Sequence, residues 1–280
     1  MAVKNRKMLC LLLALCMLCI MGCTAQPPSQ TPETTTQETQ LATTSPTVAE
    51  GEWAEQTVAA FAQANNIPVD AYPPRIIELL QRNPETEEFV LEFPLEYGKL
   101  HEVDLSEYAN SQTVPLFMQW DKRWGYLLYG SGVAGLTACG PVCLSMAAFY
   151  HTGDEDMTPE DIIAFARQEG YCAPGSGSYW TLISEGAKKL GLSVQELAPS
   201  EAQLKQALDR KNPVIMIMGP GDFTQVGHFI VVRGYDPQTG ELLINDPNSR
   251  TNSRKTWAFS QIQDQIRNLW EIGPGQYERD

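Results

Sequence analysis

The chain has 280 residues, a formal charge of −14 and 43% hydrophobic residues. That apolar fraction excludes a wholly disordered chain, and acidity without a basic patch excludes a nucleic-acid binder. Cys10, Cys16, Cys19 and Cys23 crowd the start, which leaves only Cys139, Cys143 and Cys172. Three thiols, an odd number, do not make a disulfide framework.

Lys4, Arg6 and Lys7 precede an apolar run over residues 8–21. The run is too short to cross a bilayer and has the length of the apolar region of an export signal. Ile20-Met21-Gly22-Cys23 then resembles a bacterial lipobox, whose cysteine carries the lipid, although Met21 stands where a small residue is commoner. The expectation is a signal over residues 1–22, a lipid on Cys23, and a domain on the outer face of the bacterial cytoplasmic membrane. An ordinary signal peptide or an uncleaved anchor is the alternative. Residues 23–50 are mostly Thr, Pro, Gln, Ser and Ala, a composition that cannot bury enough surface to offset its ordering entropy. They read as a flexible tether.

Residues 51–112 form a small extension. Trp53, Phe61 and Ala64 recur at helical spacing, and Pro73-Pro74 opens a second helix carrying Ile76, Ile77 and Leu80. Asn83-Pro84 stops it, and Phe89-Val90-Leu91-Glu92-Phe93 reads as a strand. With no cluster of catalytic residue types, the extension reads as a packing or docking element. Beyond it, Cys139-Gly140-Pro141 opens a helix reaching Tyr150, and Thr158 with Asp161 opens another that stops near Gly170. Trp180, Ile183, Ala187 and Leu190 predict a further helix ending at Gly191, and Ser200…Gln203 and Ser260…Gln263 have the form of capping boxes. Strands are predicted over Val214–Met218, residues 229–232 and residues 242–244. Helices first and strands later, with hairpin signals between strands, predict an α+β fold.

Histidine is scarce: His101, His151 and His228. The first two read as solvated surface residues. His228 stands at the mouth of a strand, and Asp236-Pro237-Gln238-Thr239-Gly240 is a turn signal beyond that strand. If Tyr235 and Glu241 flank the turn, residue 228 falls opposite roughly 246 to 248. Alternation then groups His228 with Ile230 and Val232, and Asp246 with Leu242 and Ile244, so Asp246 reaches the imidazole. Cys139 follows the loop 130–135 and opens a helix, where unpaired N–H groups favour a thiolate that His228 can form by taking the proton. Cys143, one turn on, reads as core, and Cys172 is open to pairing with it. A zinc site of Cys139, Cys143 and His228 has no CxxC pair or second suitable histidine to complete it, so no metal or cofactor is expected. The Gln119 side-chain amide and the Cys139 backbone N–H are candidates for an oxyanion hole. Candidate groove residues are Trp120, Gly177 and Trp180 of the loop 175–180, and Gly221 and Phe223 of the turn 219–224. Trp180 reads equally well as the first core residue of its helix.

Four motifs now stand in order over residues 113–272, followed by a tail, 273–280. They are Val114-Pro115…Gln119-Trp120-Asp121-Lys122-Arg123-Trp124-Gly125, Ala138-Cys139-Gly140-Pro141, Gly227-His228-Phe229-Ile230-Val231-Val232 and Asn245-Asp246-Pro247. Together they resemble the papain-fold cysteine peptidases related to bacteriocin double-glycine leader peptidases, in their stand-alone, secreted C39-like branch. The resemblance implies a papain-like α+β fold with helices packed on an antiparallel sheet. It implies Cys139 as nucleophile, His228 as general base, Asp246 as orienter, Gln119 in the oxyanion hole, and a peptide or protein substrate. Thr137-Ala138 before the cysteine and Val142-Cys143 after the proline depart from the usual pattern. Only transporter-fused relatives are tied to double-glycine leaders, so the substrate stays open. A cell-wall peptide amidase or endopeptidase, an acyltransferase and a catalytically silent surface-binding module are the competing readings.

Overall fold

In a computed structural model, residues 52–109 and 111–275 are described; they fall within one unit, Val48–Asp280. The export segment, Cys23 and the tether lie outside the described residues. Helices α1 (Trp53–Ala64), α2 (Pro74–Arg82) and α3 (Glu87–Glu96) come first. Pro74 sits in the first turn of α2, where its missing N–H costs nothing, and Asn83 ends the helix. The buried stripe of α1 is Ala54, Val58 and Ala62. Of the stripe read from the sequence, Trp53 and Phe61 are only half-buried and Ala64 is exposed.

α3 replaces the strand expected at 89–93. A five-residue apolar run fits either period, and here the helical one wins. Glu87 and Glu88 lie in the first turn, where the helix dipole favours them, and Phe89, Val90 and Phe93 share the buried face. The Phe89 ring stacks on Tyr126 at 4.5 Å. It also lies against Gly125 and Gly135, and a Cβ at Gly135 would stand 2.5 Å from it. These helices form one apolar cluster with Met118, Trp120, Tyr126 and Val133. The extension is therefore packed onto the segment that leads to Cys139.

A small hairpin, β1 (Leu128–Tyr129) and β2 (Gly132–Val133), leads into α4 (Ala134–Thr137) and α5 (Cys139–Thr152), which ends at Gly153 with φ of +59°. α6 (Pro159–Gln168) opens with the expected capping box between Thr158 and Asp161. Strands β3 (Cys172–Ala173) and β4 (Gly177–Ser178) form a second hairpin. The helix expected at 180–190 is a π-helical stretch, Leu182–Gly186, running into α7 (Ala187–Lys189). Ile183 and Ala187 are buried in it, and Trp180 stays outside, 45% exposed.

There follow β5 (Ser193–Glu196), α8 (Glu201–Asp209), β6 (Val214–Met218), β7 (His228–Tyr235), β8 (Leu242–Asn245), α9 (Arg250–Arg254), β9 (Thr256–Trp257), α10 (Phe259–Ile262) and β10 (Ile266–Gly273). Two expected capping boxes are absent. Ser200 precedes α8 without a side-chain cap, and Gln203 instead accepts the Ala198 N–H at 3.2 Å. Ser260 lies inside α10.

The main sheet is antiparallel, with strand order β5-β10-β6-β7-β8-β9. Strict alternation divides its side chains. Ile215, Ile217, Phe229 and Val231 pack with α5 and α6, while Val214, Met216, Ile230 and Val232 pack with α8 and α10. The architecture is thus an α+β fold with α5 laid across one face of an antiparallel sheet. Among the described residues no helix is long and apolar enough to cross a membrane.

Candidate active site

Cys139 is the first residue of α5. The turn before it is tied down by Thr137, whose hydroxyl donates to the Tyr129 carbonyl at 2.9 Å and the Val133 carbonyl at 3.1 Å. Burial pushes the thiol up, but a hydrogen bond and ion pairing with His228 and the backbone N–H groups of Phe229 and Gly140 outweigh it. The thiol is held below its ordinary value. Gly140 must be small, because the Ser178 hydroxyl lies 2.8 Å from where a Cβ would be. Gly177, at φ +93°, would bring a Cβ within 2.8 Å of the Thr137 carbonyl. The β3–β4 hairpin therefore closes directly onto the cysteine turn.

His228 opens β7, pairs with Met218 at the end of β6 and is buried. Its Nε2–H donates to Asp246 Oδ1 at 2.7 Å, which leaves Nδ1 for Cys139. Burial alone would lower the imidazole pKa; the Asp246 charge and hydrogen bond, then Cys139, raise it to about 10. Burial raises the Asp246 carboxyl, and His228 together with the hydrogen bonds from Asn252 and Asn248 more than reverses this. The predicted register explains the meeting. Val231 pairs with Asn245 and Val232 with Ile244. Nearer the turn, Tyr235 pairs with Leu242, and an irregularity between Val232 and Gly234 absorbs the offset.

Three neighbours of Asp246 escaped the sequence reading. Oδ1 also accepts the Asn248 N–H at 2.8 Å, Oδ2 accepts Asn252 Nδ2–H at 2.9 Å, and the Asp246 N–H donates to Ser253 Oγ at 2.9 Å. The Asn248 bond is an Asx turn, a signal that Asp-Pro-Asn-Ser does carry. Gln119 belongs to the same assembly. Its backbone N–H donates to the Pro247 carbonyl at 2.7 Å and its side-chain Nε2–H to the Gly135 carbonyl at 2.8 Å. Its Oε1 is buried without a hydrogen-bond partner. Asn245 Nδ2–H donates to the Pro115 carbonyl at 2.8 Å, so the first and last motifs are stitched together.

Residues 111–277 match the Peptidase_C39 like family model, which spans more than half of the chain. The chain belongs to that family. It is a cysteine-type peptidase acting on a peptide or protein substrate. A search of curated proteins gives no match. Among solved structures it is similar to the peptidase domain of Streptococcus ComA, described as a bifunctional ABC transporter involved in a quorum-sensing pathway. The likeness is 22% identity over 57% of this chain and 98% of that chain, with a TM-score of 0.40.

In this C39-like peptidase the expected groove residues divide. Gly177 borders Thr137, two residues before Cys139, and Trp180 stands exposed, T-shaped against Trp270 with ring centroids 6.1 Å apart. Tyr179 and Val226 are also exposed, Val226 at 82%. Trp120 is not a groove wall. It is buried, its indole N–H donates to the Asn248 carbonyl at 3.1 Å, and the Arg250 guanidinium covers its ring at 4.2 Å. Phe223 is also core, packed on Trp257 at 4.5 Å. Gly221 lies at the His228 end of the sheet, but the side of it that a Cβ would occupy is filled by Gln265. Both segments adjoin residues of the candidate site, Gln119 and His228, and apolar burial decides where their rings go.

His101 is part-exposed beside Glu96, at 3.2 Å. His151 is not solvated: it is half-buried, with Nε2 hydrogen-bonded to the Ile272 carbonyl at 2.8 Å, and burial lowers its pKa. Cys139, Cys143 and Cys172 are all free thiols, so the Cys143–Cys172 pairing is absent. Cys143 is fully buried, as expected of core.

Proposed function

We propose that this peptidase cleaves its substrate through an acyl-enzyme on Cys139, in a domain tethered by lipid to the outer face of the bacterial cytoplasmic membrane. The observation that supports the chemistry is the buried His228–Asp246 hydrogen bond at 2.7 Å, with the Cys139 thiol lowered by His228 at the start of α5. A thiolate paired with an imidazolium is a nucleophile beside its own proton donor. The Cys139 sulfur attacks the peptide carbonyl carbon, and the carbonyl oxygen takes the charge. The Cys139 backbone N–H and the second Nε2 hydrogen of Gln119, the first being spent on Gly135, are the proposed oxyanion donors. His228 gives its proton to the leaving amine, then takes one from the water that hydrolyses the thioester. Asp246 holds the ring orientation throughout.

The anchor rests on sequence alone: the basic start, the apolar run and Ile20-Met21-Gly22-Cys23. Labelling with a peptide-like electrophile tests the chemistry. The label should map to Cys139, and Cys139→Ala should abolish both labelling and hydrolysis; hydrolysis that survives Cys139→Ala refutes the reading. For location, Cys23→Ala should release an active enzyme from membranes, and persistent retention would point to an uncleaved apolar segment.

A further inference from the structure

Asn83 and Glu85 lie outside the residues matched by the family model, 111–277, and far in sequence from any proposed catalytic residue. Both nevertheless end on the loop that carries Asp246. Asn83 closes α2, and Glu85 sits in the single 3-10 turn, Pro84–Thr86, that joins α2 to α3. Asn83 Nδ2–H donates to the Asn248 carbonyl at 2.5 Å, a carbonyl that also accepts the Trp120 indole N–H. The N–H of that same Asn248 donates to Asp246 Oδ1.

Glu85 acts through the other carboxylate oxygen of Asp246. Its side chain accepts the Ser249 hydroxyl at 3.0 Å, the Arg250 N–H at 2.9 Å and the Thr251 N–H at 3.0 Å. Ser249 Oγ in turn accepts the Asn252 N–H at 3.1 Å, and Asn252 Nδ2–H donates to Asp246 Oδ2. Both oxygens of Asp246 are therefore aimed by loop residues whose own positions are held by the extension. The extension thus adds to the bonds that Gln119, Trp120 and Ser253 already make to this loop, and it holds the residues at 249–251 that lead to Asn252 and Asp246 Oδ2.

The structure assigns Asn83 and Glu85 as positioning residues for Asp246: the N-terminal extension braces the loop that orients the catalytic histidine. This rests on the reading of Asp246 as partner of His228, and the two are separable by experiment.

The measurement is the rate at which iodoacetamide alkylates Cys139 in the full chain at about pH 6, mapped by mass spectrometry, because the rate there follows the thiolate that His228 sustains. Asp246→Ala should lower that rate; if it does not, the triad reading fails whatever the extension does. Given that drop, Glu85→Ala should slow alkylation about tenfold and Glu85→Gln, which keeps one acceptor oxygen, about threefold. Asn83→Asp, which retains the cap on the Glu85 N–H but loses the donor to Asn248, should also slow it.

The deciding comparison is Glu85→Ala in the Asp246→Ala background. A brace that works through Asp246 has nothing left to aim there, so the added effect should be under about twofold. An equal drop in both backgrounds, or no drop in the native one, overturns the assignment. Cys143 reports folding, since it stays unlabelled while the core is intact. If Glu85→Ala exposes Cys143, Glu85→Gln and Asn83→Asp decide by the same two criteria.

Discussion

Cys139 and Cys143 occupy successive turns of α5 and carry the same thiol, the first partly exposed and the second fully buried, and their acidities move in opposite directions. At Cys143 burial raises the pKa, and the negative charges of Cys139 and Asp246 raise it further. At Cys139 the cost of partial burial is outweighed by His228 and by the backbone N–H groups of Phe229 in β7 and Gly140 in the first turn of α5. Four residues thus separate a thiol of lowered pKa from a packing residue. What distinguishes them is the supply of positive charge and hydrogen-bond donors, for which position at a helix start is necessary and the β7–β8 hairpin decisive.

The largest effect comes from weakening that supply. Asp246→Asn keeps the shape of the site but takes away the charge that holds His228 cationic, and turnover should fall by up to about four orders of magnitude, as in serine analogues. Unchanged turnover would show that Cys139 does not depend on the hairpin. Direct reactivity comes next: at neutral pH iodoacetamide should label Cys139 while Cys143 stays essentially unlabelled, because only Cys139 combines a lowered pKa with an accessible sulfur. Equal labelling would erase the contrast.

Activity against pH sharpens the same comparison. Cys139 is lowered, so the thiolate forms on the acid side of an ordinary thiol; His228 is raised, so its proton persists until about pH 10. The ion pair fills the window between, and rate should rise through the first limit and fall through the second. Asp246→Asn should move the alkaline limb toward lower pH, because the raised histidine loses its main support. The smallest effect belongs to the other thiol. Cys143→Ser buries a hydroxyl among apolar neighbours and should cost about 1–3 kcal/mol of stability, read as a lower Tm, with the pH profile unmoved.

Much of the site was legible before any coordinates. A glycine-bordered loop running into Cys139-Gly140-Pro141 announces a helix start through local chemistry, and the turn at 236–240 sets a register that brings residues 228 and 246 together. Both signals act over a few residues or across one hairpin. The groove was less legible. Chain position puts Trp120 next to Gln119 and Phe223 ahead of His228, but a ring's direction depends on which apolar cluster can receive it, and both rings turn inward. The short run at 89–93 misled for the same reason: its period is ambiguous, and the glycines that accept the Phe89 ring are 36 and 46 residues away.

By itself, then, the sequence determined the family of this peptidase and the local geometry around Cys139 and Asp246, because helix starts, Asx turns and hairpin registers are short-range properties of the chain. Tertiary structure alone decided that β10 lies between β5 and β6 in the sheet, and that the linker between α2 and α3 meets the Asp246 loop across 165 residues of sequence. Such contacts form only when separately folded segments bury their apolar faces against one another, and the polar groups carried along must then find their partners in the packed state.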